Sequence, residues 1–327
     1  MNIFSIIIVC SFYVYGLIIL YITFLARRNG EKGAFINNLT NGIILIISIT
    51  INLILINFLN VSNKEFMVFP FNILIISFII LFLPLFYLFI SREKRKIRKK
   101  KKKGNKNEFK YLTELPLKYD IYRKLTHLVA LGIIIFYFIS GFLNQNLIVF
   151  LVGISLIGLL SAEIVRILTP EIYPLKPVNQ LLRKKELHMR LGPHISMSIG
   201  CFSTILLYGL IHPIGPVIIC TSMVMSIFGD ITSNLTGRTI GKRKIRKTKK
   251  TYEGLIAGIL IAFITGIFVL NLLKDFYRSS ILALIIIPFI GATIIGILDY
   301  LDLEIDDNLS YNFSLSSILF FILCSIS

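Results

Sequence analysis

Apolar runs long enough to cross a lipid bilayer recur along almost the whole of this 327-residue chain. A membrane-spanning helix needs about 20 consecutive, mainly apolar residues. Only 16% of the residues are charged, against about a quarter in an average soluble domain. The sequence therefore predicts an all-α, polytopic integral membrane protein with about ten transmembrane helices. The predicted spans are 2–26, 35–61, 66–90, 125–143, 146–168, 193–211, 214–236, 254–273, 279–301 and 311–326.

The basic residues predict the orientation of these spans. Almost all Lys and Arg residues fall in four segments, namely 27–32, 92–124, 166–190 and 238–250. With ten spans and the N-terminus outside, all four segments lie on one side of the membrane, which the positive-inside rule makes cytoplasmic. The net charge of +18 would suggest nucleic acid in a soluble protein. Here the basic runs lack the interleaved aromatic residues of a stacking surface, so no nucleic-acid partner is expected.

The distribution of polar residues divides the chain into three parts. Residues 1–91 form a three-helix membrane segment that is nearly free of ionisable groups, and its first helix is expected to remain as a membrane anchor. Residues 92–119 form a basic cytoplasmic linker, and residues 120–327 form the membrane domain that carries the candidate site. The four cysteines lie in apolar segments without ligand spacing, so neither disulfides nor a zinc site is expected.

From about residue 115 onward, polar side chains appear at the ends of spans. Such groups are costly within a bilayer and usually face a protein interior or a wet cavity. On the predicted topology they all lie at the cytoplasmic side, so we expect them to converge on one cavity. They are His127, Glu163, Arg166, His194, Asp230, Asn234, Asp299, Asp306 and Asp307.

Asp230 is followed by a loop that is rich in glycine and basic residues. The carboxylate is expected either to coordinate Mg²⁺ or to pair with a cation such as Arg238. Glycines allow backbone N–H groups to approach phosphate oxygens, and cations neutralise them. The alternative is an ordinary positive-inside loop with glycines as helix breakers. The residues in question are Gly229, Gly237, Arg238, Gly241, Lys242 and Lys250.

Two further groups have both a chemical and a structural interpretation. Thr251 is predicted to cap the next helix, with Glu253 in its first turn, although a catalytic or metal-binding role for Glu253 is equally open. The acidic run Asp306-Asp307-Asn308 suits Mg²⁺, but short Asp- and Asn-rich loops are also common turns.

The segment before the fourth predicted span carries Arg123, Lys124 and His127. His127 is a candidate proton carrier or phosphate ligand, and an interfacial hydrogen-bonding role is the alternative. Glu163 and Arg166 are three residues apart, which places them on one helix face where they can pair.

Taken together, these residues resemble the family of CTP-dependent lipid-alcohol kinases, which includes dolichol or polyprenol kinase, phytol kinase and the CTP-dependent diacylglycerol kinase. The resemblance covers about residues 120–327. Its four blocks are Arg123-Lys124-x-x-His127; Glu163-x-x-Arg166; Gly229-Asp230 through Gly237-Arg238-x-x-Gly241-Lys242 to Lys250-Thr251-x-Glu253-Gly254; and Asp306-Asp307-Asn308-Leu309. The chain departs from the family pattern at Ser233, at Asn312 and at Asp299, which stands where a glutamate is usual.

The resemblance implies transfer of the γ-phosphate of CTP to a lipid alcohol at the cytoplasmic face, with Mg²⁺ as cofactor. A polyisoprenoid alcohol is the expected acceptor. It implies catalytic roles for Asp230, His127, Lys250 and Glu253, and metal binding by Asp230, Asp306, Asp307 and Asn308. It implies nucleotide contacts from Gly229, Gly237, Arg238, Gly241, Lys242, Thr251, Arg123 and Lys124. Glu163, Arg166 and Asp299 would support them. Two alternatives stay open: a CTP-using enzyme of the phosphatidate cytidylyltransferase type, and a non-enzymatic lipid transporter or scaffold.

Overall fold

The structure is a computed structural model. It describes residues 3–58, 87, 91–92, 121, 123–124, 127, 131–132, 134–135, 145–173, 182–183, 186, 188–211, 214–245, 248, 250–274 and 281–326. Within these residues the chain is almost entirely helical. The longer helices are α1 (Ile3–Arg28), α2 (Lys32–Phe58), α3 (Gln145–Leu168), α4 (Pro193–Thr204), α5 (Ile214–Thr239), α6 (Tyr252–Leu272), α7 (Ile281–Leu301) and α8 (Asp307–Ile326).

Seven helices in the described part of the chain are long and apolar enough to cross a membrane, namely α1, α2, α3, α5, α6, α7 and α8. They coincide with seven of the predicted spans, so the prediction of a multi-pass helical membrane protein is confirmed. The predicted spans 66–90 and 125–143 lie mostly outside the described residues, although the described residues from 121 to 135 are helical.

The predicted span 193–211 differs from the other described spans. Its α-helix, α4, is only 12 residues long and continues as a π-helical turn over Ile205–Gly209. Helix α4 begins at Pro193 after an extended Gly192, which agrees with the preference for proline in a first turn. It packs against α2, α3 and α8, and most of its residues are buried. Its sequence is therefore apolar because it faces protein.

Among the described helices, α5 and α6 have the most extensive contact, and small residues make this possible. A Cβ atom at Gly254 would lie 2.5 Å from the carbonyl oxygen of Ser233, and one at Gly258 would lie 2.8 Å from the Ser233 Cβ. Gly229 and Gly237 lie on the same face of α5, where added Cβ atoms would meet α6 or its cap. Close backbone approach through small residues is a usual way for membrane helices to associate.

Helices α5 and α8 are joined by a ladder of buried polar side chains. Ser226 donates a hydrogen bond to Oδ1 of Asn312, and Ser316 donates one to Oγ of Ser222 at 2.8 Å. The rungs lie one helical turn apart on antiparallel helices. This hydrogen-bonded register fixes how α8 stands against α5.

The N-terminal helices pack on the rest of the molecule. Tyr15 of α1 shares a 2.7 Å hydrogen bond with Ser161 of α3, and the rings of Phe12 and Phe202 stack with centroids 4.8 Å apart. The described part of residues 1–91 therefore shares its core with the C-terminal part of the chain. Apart from residue 92, the predicted linker 92–119 lies outside the described residues.

Candidate functional site

One helical turn beyond the hydrogen bond between Ser226 and Asn312 are Asp230 on α5 and Asn308 on α8. Both lie at one end of the helix bundle. Two groups of polar and acidic or basic side chains lie there. The Asp230 cluster consists of Lys124, His127, Asp230 and Asn234, and the Lys250 cluster consists of Lys250, Asp299, Asp302 and Asp307.

In the Asp230 cluster, a buried carboxylate is surrounded by donors. The Nζ atom of Lys124 contacts Oδ2 of Asp230, and Nδ1 of His127 lies 3.4 Å from the same oxygen. Asn234 donates a 2.8 Å hydrogen bond to Oδ1. The ion pair of Asp230 is thus made with Lys124, whereas Arg238, the partner suggested by the sequence, lies exposed in the last turn of α5.

In the Lys250 cluster, one ammonium group faces three carboxylates. Lys250 Nζ lies 2.9 Å from Oδ1 of Asp299, 3.3 Å from Oδ1 of Asp302 and 3.4 Å from Oδ2 of Asp307. Burial by itself would lower the pKa of the Lys250 ammonium, but Asp307 and Asp299 outweigh it and hold this pKa above its ordinary value. Lys250 is therefore a permanent cation at neutral pH.

Asp299 is held in place by neutral hydrogen-bond donors. Ser233 donates to Oδ2 at 2.8 Å, and the buried hydroxyl of Tyr311 donates to Oδ1 at 2.9 Å. Ser233 stands within one turn of Asp230 on α5, and Asp307 lies within electrostatic reach of Asp230. The two clusters are therefore neighbours, built from α5, α7 and the turn after it, α8, the loop before α6 and the helical residues 124 and 127.

The loop before α6 folds back on itself and presents Lys250. Ile245 N–H donates to the carbonyl oxygen of Lys250 at 2.9 Å, and Tyr252 N–H donates to that of Arg243 at 2.9 Å. Thr251 accepts a 3.2 Å hydrogen bond from Gly254 N–H, which confirms it as the N-cap of α6. The carboxylate of Glu253 accepts the backbone N–H of Arg243 at 3.2 Å, so its described contacts close this loop.

The predicted phosphate-binding residues fall into two groups. Gly229 and Gly237 lie inside α5, where they pack against α6 and its cap, and a Cβ at Gly241 would lie 2.4 Å from Oγ1 of Thr251. Arg238 and Lys242 are exposed beside this turn. The glycines therefore have a packing role, and a nucleotide contact from any of these residues stays a prediction.

Asp306 caps helix α8. Its carbonyl oxygen accepts the N–H groups of Leu309 and Ser310 at 3.1 Å each, and its Oδ1 accepts the Asn308 N–H at 3.1 Å and the Asn308 side-chain amide at 2.8 Å. The residues 306–308, which the sequence assigns either to a turn or to a metal site, therefore form the N-cap and first turn of α8. Metal binding by them stays a prediction. The backbone N–H of Asp306 donates to Oδ1 of Asn37 on α2 at 2.9 Å.

Glu163 and Arg166 form the predicted ion pair, with two hydrogen bonds of 2.6 and 2.9 Å. Both side chains are buried. Arg166 also donates to the carbonyl oxygens of Glu186 and Arg190 at 2.9 and 2.7 Å. Glu163 accepts the Gly192 N–H at 2.6 Å. Arg123, which was predicted to bind nucleotide, lies buried 3.5 Å from Oε1 of Glu186.

Residues 189–192, here called the clamped segment, are held from two sides through their backbone. On one side stands the Glu163–Arg166 pair. On the other, Asn38 of α2 accepts the Leu191 N–H at 2.9 Å and donates to the Met189 carbonyl at 2.6 Å. The segment is fixed although it is neither helix nor strand.

Sequence reasoning missed several residues at this end of the bundle. Asp302, which has a left-handed backbone with φ of 45°, contacts Lys250, and its position three residues after Asp299 was the only signal. Asn37 and Asn38 were overlooked inside an apolar segment, where buried amides are themselves a signal. Tyr311 was overlooked because it reads as an ordinary core aromatic.

The arrangement of the carboxylates determines what kind of metal site they fit. Among the described residues there is no group of three or more His, Cys, Asp or Glu side chains arranged to hold a metal ion. Mg²⁺ is usually bound by one or two carboxylates together with substrate phosphates and water. The part-exposed carboxylate of Asp307, beside Asp306 and Asn308, fits that kind of shared site. It fits a metal that arrives with a phosphate ligand rather than one enclosed by protein.

Comparison with known proteins adds no relative: the chain matches no family model, no curated protein and no solved structure.

Proposed function

We propose that the protein is a CTP-dependent lipid-alcohol kinase that transfers the γ-phosphate to a polyisoprenoid alcohol. The observation that carries this proposal is the meeting of Asp230, Asp299, Asp307 and Lys250 at one end of an apolar helix bundle. Carboxylates and a fixed cation beside a membrane suit a phosphorylated polar substrate and a lipid acceptor. The kind of nucleotide and lipid comes from the resemblance described above.

Membrane topology supports an active site on the cytoplasmic side. The clusters share their end of the bundle with the turn after α1, the clamped segment and the basic loop before α6, which lie in or next to basic segments. We propose ten spans with the N-terminus outside, which places this end in the cytoplasm under the positive-inside rule.

The nucleotide would bind through its phosphates at the Lys250 cluster. Asp306, Asp307 and Asn308 would hold Mg²⁺, which neutralises phosphate charge when bound, and the carboxylate of Asp230 would stand beside them in its pair with Lys124. Lys250, with Arg238 and Lys242 from the exposed loop, would bind phosphate oxygens and stabilise the charge that develops during transfer. Lys250 is then required to exchange carboxylate contacts for phosphate contacts.

The lipid would lie against the outer faces of α6 and α7 with its hydroxyl at the clusters. These faces carry exposed apolar side chains, among them Ile256, Leu260, Phe289 and Ile297. In the transfer, the lipid oxygen forms a bond to the γ-phosphorus while the bond from that phosphorus to the β–γ bridging oxygen breaks. CDP leaves, and the hydroxyl proton passes to Asp230 or to His127, which lie 3.4 Å apart.

The test uses purified protein in detergent with Mg²⁺ and CTP labelled at the α- or the γ-phosphate. The acceptors are dolichol, polyprenol, geranylgeraniol, phytol, diacylglycerol and phosphatidate. Transfer of γ-label to a polyisoprenoid alcohol, lost in Asp230→Asn, supports the proposal. Transfer of α-label means a cytidylyltransferase, and transfer of neither label favours a transporter or scaffold.

A further inference from the structure

Three asparagines near the start of α2 are fully buried, although the helix is mainly apolar. Asn37, Asn38 and Asn41 are each 0% exposed. Buried amides in a membrane helix are costly unless they find partners. The hydrogen-bond partners of these amides therefore indicate which segments of the chain α2 positions.

The amides of Asn37 and Asn38 bind backbone atoms of distant segments. Asn38 accepts and donates hydrogen bonds at Leu191 and Met189 of the clamped segment. Asn37 accepts the N–H of Asp306 at 2.9 Å, across 269 residues of sequence. The start of α2 thus touches the clamped segment and the N-cap of α8 together.

A charged contact supports the same turn from the clamped segment. Arg190 Nη1 lies 3.7 Å from Oε2 of Glu304, and it also approaches the carbonyl oxygen of Gly33 at 3.5 Å. A Cβ at Gly33 would lie 2.6 Å from Glu304 Oε2, so the start of α2 lies against this turn without a gap. The turn that carries Glu304 and Asp306 is therefore held by α2 and the clamped segment, while Asp307 of the same turn contacts Lys250.

We propose that Asn37 is a positioning residue for the turn Asp306–Asn308, and that α2 therefore belongs to the site. By holding the Asp306 N–H, Asn37 sets where the Asp307 carboxylate stands relative to Lys250. The effect on catalysis rests on the proposed function, whereas the effect on the turn does not.

The same helix supplies a matched control. Asn52 is also buried, and its amide donates a 3.0 Å hydrogen bond to the carbonyl oxygen of Leu206, in the π-helical turn away from the clusters. Asn37→Ala and Asn52→Ala remove the same chemical group from the same helix. Asn37→Ala leaves the backbone N–H of Asp306, at the clusters, without its partner. Asn52→Ala does the same to the carbonyl oxygen of Leu206, away from the clusters.

Hydrogen–deuterium exchange of the full-length protein in detergent gives the first readout. We expect the amides of peptides covering residues 304–310 to exchange about tenfold faster in Asn37→Ala, which corresponds to one lost hydrogen bond. The same peptides should be unchanged in Asn52→Ala. Should Asn37→Ala fail to fold, Asn37→Ser serves instead, because its hydroxyl is too short to replace the amide oxygen.

Label transfer from CTP gives the second readout. We expect Asn37→Ala to raise the KM for Mg–CTP by about tenfold with a smaller change in kcat, and Asn52→Ala to leave both unchanged. Equal exchange at 304–310 in the two variants would overturn the proposal whatever the enzyme does. A wild-type protein without label transfer would instead overturn the proposed function, while the exchange result still decides the role of Asn37.

Discussion

The two clusters use the same residue types in opposite ways. In the Asp230 cluster one lysine meets one carboxylate, and the exposed fractions of the Lys124 and Asp230 side chains are only 11% and 3%. In the Lys250 cluster one lysine meets three carboxylates, of which Asp302 and Asp307 are 39% and 30% exposed. The first is balanced and closed, whereas the second is open and has an excess of negative charge.

This difference indicates which cluster can receive a ligand. A closed, balanced pair gains little from a new cation, and separating it leaves a buried charge unpaired. An open cluster with excess negative charge accepts a cation directly. We therefore expect the Asp230 cluster to act as a fixed point and the Lys250 cluster to change partners.

The largest expected effect is that of Asp230→Asn. Label transfer should fall at least about a hundredfold, because the variant removes a carboxylate from the reacting end. It also leaves Lys124 buried without its counter-ion, at a cost of about 3–5 kcal/mol in the free energy of unfolding. Thermal unfolding and label transfer are measured on the same detergent sample.

The double variant Lys124→Met with Asp230→Asn separates the two effects. It should regain most of the lost thermal stability, since no unpaired buried charge remains, but not the activity. Recovery of activity together with stability would mean that Asp230 serves only as a structural counter-ion.

Lys250→Met tests the open cluster and ranks second. Three carboxylates then remain without their ammonium group, so Mg²⁺ should raise the melting temperature of this variant more than that of the wild type. Label transfer should fall about tenfold or more, because a phosphate-binding cation is lost. Lys244→Met, an exposed lysine of the same loop, is the control. Equal Mg²⁺ effects in both variants would contradict the exchange of partners.

Gly254→Ala tests whether the two clusters depend on the close packing of α5 against α6. Its Cβ would meet the Ser233 carbonyl oxygen at 2.5 Å, so α5 and α6 are forced apart, at a cost of about 1–3 kcal/mol. Gly158→Ala on α3 is the control, because no atom of the described residues lies within 4 Å of its added Cβ. We expect lower stability and activity in the first variant only, measured by thermal unfolding and label transfer. Similar behaviour of both variants would mean that the close contact is not required.

Glu253→Gln has the smallest expected effect. Its carboxylate accepts backbone N–H groups beside the Lys250 cluster and touches neither cluster in the described contacts. A neutral amide retains one acceptor oxygen, so kcat should change by less than about threefold. A loss of a hundredfold would restore the catalytic role that the resemblance implies.

The sequence predicts the transmembrane helices well because their length and apolarity are local properties. It also predicts the Glu163–Arg166 pair and the Thr251 cap, which depend on spacings of three residues. The span 193–211 is less well predicted, because burial in protein and burial in lipid select the same apolar side chains. Only the packing of α4 against three other helices shows that its side chains are buried in protein rather than in lipid.

Partner choice across the site could not be predicted. Asp230 lies near Arg238 in sequence, but helix geometry turns Arg238 outward and brings Lys124, 106 residues earlier, to the carboxylate. The bond from Asp306 to Asn37 spans still more of the chain. Glycines 229 and 237 fit both a phosphate loop and a tight helix contact, and spacing alone does not separate these.

The charge excess at Lys250 also has a kinetic consequence. One ammonium facing three carboxylates forms a negative spot beside the exposed basic residues of the loop before α6. Metal-free CTP would be attracted to these basic residues but repelled from this spot, whereas its Mg²⁺ complex would be accepted by both. Initial rates should then follow the concentration of the complex, with free nucleotide acting only as a weak competitor.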